Sequence, residues 1–163
     1  MNGKDILKYG NLTVLKAVDG VPHDAWDTPG VTGYWSVKNI VSHLASFEWM
    51  LADLLTMLAG TDGETPTLDM YINEIARFND VQVDEMRVGQ TRHEALEEYK
   101  AAFARSSELF TRFPEERLRQ DGILPWYGAE YDLEDFLVYT FYGHKREHSS
   151  QIDHFRDDVL PNR

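Results

Sequence analysis

An all-α bundle is the fold class this sequence predicts, and three observations predict it. Apolar residues recur at three- and four-residue spacing through five blocks of the chain. No block alternates apolar and polar residues as a half-buried strand does. The blocks open on helix-capping residues and close on glycine or proline. Four long helices and one shorter or broken one make a helical bundle the natural architecture for a single domain spanning residues 1–163.

The first block, "GKDILKYGNLTVLKAVDG", carries Ile6, Leu7, Leu12, Val14, Leu15 and Val18 in a helical pattern and ends at Asp19-Gly20. "VPHDAWDTPGVTGYW" reads as a loop, because Pro22, Pro29, Gly30 and Gly33 break any regular element. The second helix has Ser36 as its N-cap, an apolar series from Val37 and Ile40 to Leu55 and Leu58, and Gly60 as its stop. After a turn at "TDGETP", Leu68 to Val88 reads as a helix interrupted near "FNDVQ" and broken at Gly89. Thr91 with Glu94 forms a capping-box pattern ahead of Leu96, Tyr99, Phe103, Leu109 and Phe110. "PEERLRQDGILPWYGAEY" reads as irregular, and a last helix runs from its N-cap Asp132 almost to Pro161.

Composition narrows the functions open to such a bundle. With 42% hydrophobic residues the chain is globular rather than disordered. It has no cysteine, which removes disulfides, thiolate ligands, iron–sulfur clusters and cysteine nucleophiles together. A metal site must then use imidazole and carboxylate, a donor set suited to Zn, Ni, Fe or Mn. The net charge of −12, with the basic residues scattered, argues against nucleic acid and anionic membranes as partners. No apolar run is long enough for a bilayer, and "MNGKDILKYGNL" has no basic-then-apolar export pattern, so the cytoplasm is expected.

The chemistry concentrates in "YGHKREHSSQIDHF", residues 142–155. His144 and His148 are four apart, so on a helix they project side by side, as the two histidines of H-E-x-x-H do. That motif's glutamate is missing from "HKREH". Both histidines fall where the apolar stripe from Leu133 to Phe155 would otherwise carry hydrophobes. Facing a core, they must either share a cation or hydrogen-bond to core tyrosines and backbone carbonyls. His154 points away from the pair and reads as a surface residue. From another helix, His43 sits at the edge of the apolar stripe of "IVSHLASFE" and can supply a third imidazole or a structural one. His23 and His93 read as exposed.

"YWSVKNIVSHLASFE", followed about a hundred residues later by "YGHKREHSSQI", resembles the DinB-like (YfiT-like) metalloenzyme superfamily. The first motif matches that family's Trp-Ser/Thr entry to helix two with a histidine seven positions on. The second matches its closing His-x3-His followed by Gln-Ile. The resemblance implies an up-down-down-up four-helix bundle in which His43, His144 and His148 hold a divalent metal ion (Zn, Ni, Fe or Mn). Members of the family include thiol-dependent isomerases and S-transferases and a cyclopropane-opening self-resistance protein.

The function expected is therefore metal-dependent chemistry on a small-molecule substrate, by hydrolysis or by S-transfer from a low-molecular-weight thiol. The alternative is a non-catalytic binding, stress-response or self-resistance protein using the same pocket, and a third reading leaves the histidines structural. Gln151, seven residues beyond His144, falls on its face and is the candidate for supporting a ligand or bound water. Glu147 reads as a surface ion-pair partner and Glu48 as structural. Trp35, Trp126, Tyr139 and Tyr142 are candidates for the pocket mouth, with "PWYGAEY" as a lid. A helix face rich in aromatics would suit a homodimer.

Overall fold

Local capping chemistry fixes where the long helices begin. In the computed structural model, which describes residues 2–163 and leaves Met1 outside them, α1 spans Gly3–Asp19 and the Asn2 side chain accepts from the Asp5 amide. Helix α2 spans Val37–Leu58 behind a reciprocal cap in which Asn39 returns the hydrogen bond of Ser36. Helix α5 spans Arg92–Arg112 behind the Thr91–Glu94 box, and Asp132 caps the last helix with Asp135. Ser36→Ala should lower stability by about 1 kcal/mol, the usual worth of such a cap, in urea denaturation at unchanged slope.

Side-chain contacts give the helix directions. The Gly3 amide donates to Glu134, Gly10 lies against Tyr142, and Gly20 lies against Arg156, so α1 runs parallel to the last helix. Ser42 meets Gln90, and Trp49 donates its indole N–H to Glu98, so α2 runs parallel to α5. One apolar layer joins Ile6 and Leu7 with Leu51, Leu54, Phe110 and Phe136. The other joins Val14 and Val18 with Val37, Ile40, Tyr99 and Phe155. Each layer therefore mixes the start of α1 and the last helix with the end of α2 and α5, or the reverse. The bundle is up-down-down-up, as expected. Gly10 permits the close approach of α1 to the last helix, since a Cβ there would sit 3.2 Å from the Lys145 side chain.

The parallel α2–α5 pair requires a long crossover, and here the structure departs from the expected Leu68–Val88 helix. Helix α3 spans Pro66–Asn73 and α4 spans Ile75–Asn79, followed by a π-helical turn over Asp80–Glu85. The break falls at Glu74 (φ −134°, ψ 37°), ahead of "FNDVQ". It brings Phe78 into the core against Phe47 and Tyr71, at ring separations of 5.5 and 5.4 Å. The segment read as irregular also holds one short helix, α6, Glu115–Leu118. The final rod is continuous as predicted but uneven. Helix α7 (Leu133–Leu137) passes through a π-helical turn at Val138–Gly143 into α8 (His144–His154), with a second π turn at Phe155–Val159.

Between the two apolar layers lies a buried polar seam. Lys145 forms an ion pair with Glu48 from α2, whose second oxygen accepts from the Ser106 hydroxyl of α5. Lys145 is 1% exposed and Glu48 0%, so the pair is wholly out of water. The Lys145 ammonium also lies 5.1 Å from the Phe103 ring. Among the described residues no helix is long and apolar enough to cross a membrane.

Candidate metal centre

Three histidines from two helices meet beside this seam. Phe47 and Trp35 flank His43 at ring separations of 4.8 and 5.0 Å, and the isolated bridge between Thr32 and Trp35 places the indole there. His43 Nε2 lies 2.8 Å from His144 Nε2, and His148 Nε2 lies 2.9 Å from the same atom. His43 and His148 are buried, and His144 is half-buried at the edge of a cavity.

The outer nitrogens decide what the inner ones can do. His148 Nδ1 is 2.8 Å from the Gln151 side-chain oxygen, so it carries the proton and donates there. The Thr140 backbone, which lies within the π turn, sits beside the His144 ring and favours its charged form. With Nδ1 protonated, neutral His148 turns a bare Nε2 lone pair toward His144 Nε2 across 2.9 Å, and His144 Nε2 also faces His43 Nε2 at 2.8 Å. A single cation among the three Nε2 atoms would serve all of them at once. His43 Nδ1 is buried without a hydrogen-bond partner; the Asn79 side chain favours its charged form but does not reach bonding geometry. The donor set fits a divalent ion. The separations fall slightly short of the roughly 3.3 Å between imidazole nitrogens in tetrahedral zinc, a gap that small ring rotations cover.

All three rings are held neutral, as ligands must be. Burial lowers the His43 pKa well below its ordinary value, with the neighbouring His144 and His148 adding to the effect. Burial first, and then His148, pushes His144 down to about 3. Burial also lowers His148, against the opposing effect of the hydrogen bond it donates to Gln151. The unfolded chain therefore binds protons that the folded chain refuses. Stability is full above about pH 6.5 and falls as pH drops below it, by up to about 1.4 kcal/mol per pH unit for each histidine. For His144 the loss continues down to about pH 3. Urea midpoints of metal-free protein taken from pH 7 to pH 4 should trace this acid limb, and His144→Ala should flatten it.

Above His144 opens a shallow cavity of about 550 Å³, walled by Phe47, Tyr71, Tyr139 and Glu147. Of the aromatics expected at the mouth, Tyr139 lines it, Trp35 packs on His43 and Trp126 lies one ring further out against Tyr71. Tyr142 does not belong to the mouth: it faces α1 at Gly10, with Arg146 over its ring. Glu147, expected to pair with a cation, has no ion-pair partner among the described residues and stands on the cavity wall. Glu48 is structural, as expected, but its partner Lys145 was not expected. His154 is exposed and bonded to Asp158, and His23 and His93 are exposed. A groove of about 600 Å³ between α1 and α5 contains none of the three clustered histidines.

An up-down-down-up bundle whose second and last helices bring three histidines together, placed to bind one metal ion, defines a class of helical proteins with a built cation site. The family model of the DinB superfamily matches residues 12–152, and the chain belongs to that superfamily. No curated protein and no solved structure matches it.

Proposed function

We propose that the protein is a divalent-metal-dependent enzyme acting on a small molecule, by hydrolysis or by transfer of a thiol sulfur to an electrophile, with His43, His144 and His148 as the metal ligands. The observation that carries this reading is the convergence of three Nε2 atoms from two helices, at 2.8 and 2.9 Å, with the outer nitrogen of His148 already committed to Gln151. A bound divalent ion supplies Lewis acidity, which acidifies a water or thiol and polarises an electrophile. Three neutral imidazoles leave its charge uncompensated, and Zn, Ni, Fe and Mn all suit the donors.

The chain's own side chains do the rest. Gln151 holds the His148 ring in one tautomer and orientation. Phe47 covers His43 and His144 at 4.8 and 4.6 Å and excludes water from that side. Glu147, at the cavity edge, accepts a hydrogen bond or a proton from whatever enters. One observation favours a second reading, a non-catalytic binding or stress-protection protein. Apart from the histidine and two tyrosines, Glu147 is the single acid–base side chain among the described residues of that wall.

Metal analysis of the protein as isolated and after reconstitution tests the site, and about one equivalent is expected. Less than about one-tenth equivalent overturns it, because a preformed three-histidine site should bind a divalent ion. Turnover against a panel of thiols and electrophiles then separates the two readings. Gln151→Leu should weaken metal affinity by about 10–100-fold in competition with a chelator, without unfolding the protein.

A further inference from the structure

The walls around the histidine site are of one chemical kind. Next to His144, Phe47, Tyr71 and Tyr139 provide the aromatic surface and Glu147 the single charge. A second depression of about 280 Å³ adjoins the first across Tyr71, which lines both, and continues over Ile72, Ile75, Trp126 and Tyr127. The rings are linked edge to face, with Phe47 5.7 Å from Tyr71 and Tyr71 6.0 Å from Trp126. Apolar side chains lining the two depressions stand in water: Ile75 is 62% exposed, Tyr139 65% and Ile72 36%. Single exposed hydrophobes are ordinary, but a contiguous group of them beside a cavity marks a surface that something apolar covers.

Charge decides what kind of apolar body that is. Among the described residues no lysine or arginine lines either depression. Lys145 is buried against Glu48, and Arg146 lies over Tyr142 on the α1 side. An anionic group held away from the coordinating atom would meet Glu147, the negative faces of the rings and a chain of net charge −12. Attraction to the metal ion acts on the coordinating atom alone, whatever the charge on the remainder of the molecule. Discrimination therefore falls to the walls, where the remainder of the substrate rests.

We propose that the site takes a substrate or thiol whose body is aromatic or branched-apolar and neutral or cationic, seated across Phe47, Tyr71 and Trp126, and that it rejects compounds carrying a second anionic group. This rests on the metal-dependent reading above and narrows it, removing carboxylate-rich thiols from the candidates.

Cobalt-loaded protein reports thiolate coordination by its absorption, so binding can be measured without turnover. Titrated with 2-phenylethanethiol and 2-mercaptoethanesulfonate, it should bind the phenyl probe at least about tenfold more tightly, the scale of one aromatic contact plus its buried area. Tyr71→Ala should remove most of that preference. Ile75→Lys, at an exposed position that leaves the core intact, should tighten the sulfonate probe alone, as should Glu147→Gln. Equal affinities in the cobalt-loaded protein overturn the inference while leaving the metal site standing. So does phenyl-probe binding that weakens as protein concentration rises, which would show a second copy covering this face. Failure to take up cobalt overturns the metal-dependent reading and this inference with it.

Discussion

Lys145→Met should destabilise the protein by about 3–5 kcal/mol, because it strands a buried carboxylate. Glu48 is 0% exposed, and without the ammonium it keeps only the Ser106 hydroxyl as a donor. Leaving one charge of a buried pair uncompensated costs far more than the pair contributes, and a loss of this size is a large share of a typical domain's total stability of about 5–15 kcal/mol. For a chain of this length it corresponds to a fall in Tm of about 6–20 °C. Removing both charges should behave differently. Glu48→Leu combined with Lys145→Met fills similar volume with apolar atoms, and it should recover most of the loss or exceed the starting stability. A double-mutant cycle by urea denaturation measures the coupling. A loss below about 1 kcal/mol for Lys145→Met would show that water or a shifted side chain reaches Glu48, against the burial described here. The pair also has a geometric consequence. Lys145 directly follows His144, and Glu48 lies little more than one turn beyond His43, so the ion pair sets the rotation of α8 against α2 at the level of the histidines.

That pair was the least legible feature in the sequence, for a physical reason. Lysine is almost never fully buried unless paired, so "HKREH" reads Lys145 as solvated, and its partner lies on a helix far away in the chain. Capping was legible because it is local: Ser36, Thr91 and Asp132 each act within three residues and open helices where expected. The histidine cluster was half local. The four-residue spacing of His144 and His148 follows from helix geometry, whereas His43 could be joined to them only through its place on an apolar stripe and the resemblance of the flanking motifs. Gln151 was placed by its seven-residue offset from His144, yet it bonds to His148, three residues away. The π turns left no mark in composition. One of them holds Thr140, whose backbone sits beside the His144 ring and favours its charged form, an influence on the site that was invisible in the sequence. The break at Glu74 has no glycine or proline to announce it and follows from the burial of Phe78.

Saturation with zinc should raise the Tm by about 8–16 °C. A ligand present at about a thousand times its dissociation constant adds roughly 4 kcal/mol to a folded state that alone binds it, and each kcal/mol moves the Tm of a domain this size by about 2–4 °C. Three features favour the upper part of that range. The rings are already neutral at pH 7, so no proton must be displaced. The His148 ring is held by a hydrogen bond that does not change on loading. The ion also gives the closely spaced Nε2 atoms of the three rings a common partner. A chelator should reverse the shift, and His144→Ala should abolish it while costing little in the chelated protein. That last comparison separates a metal site from a structural histidine cluster. If the three rings merely stabilise one another, His144→Ala lowers the Tm by the same amount with and without chelator, and zinc, nickel, manganese and cobalt all leave the parent protein's Tm where it was.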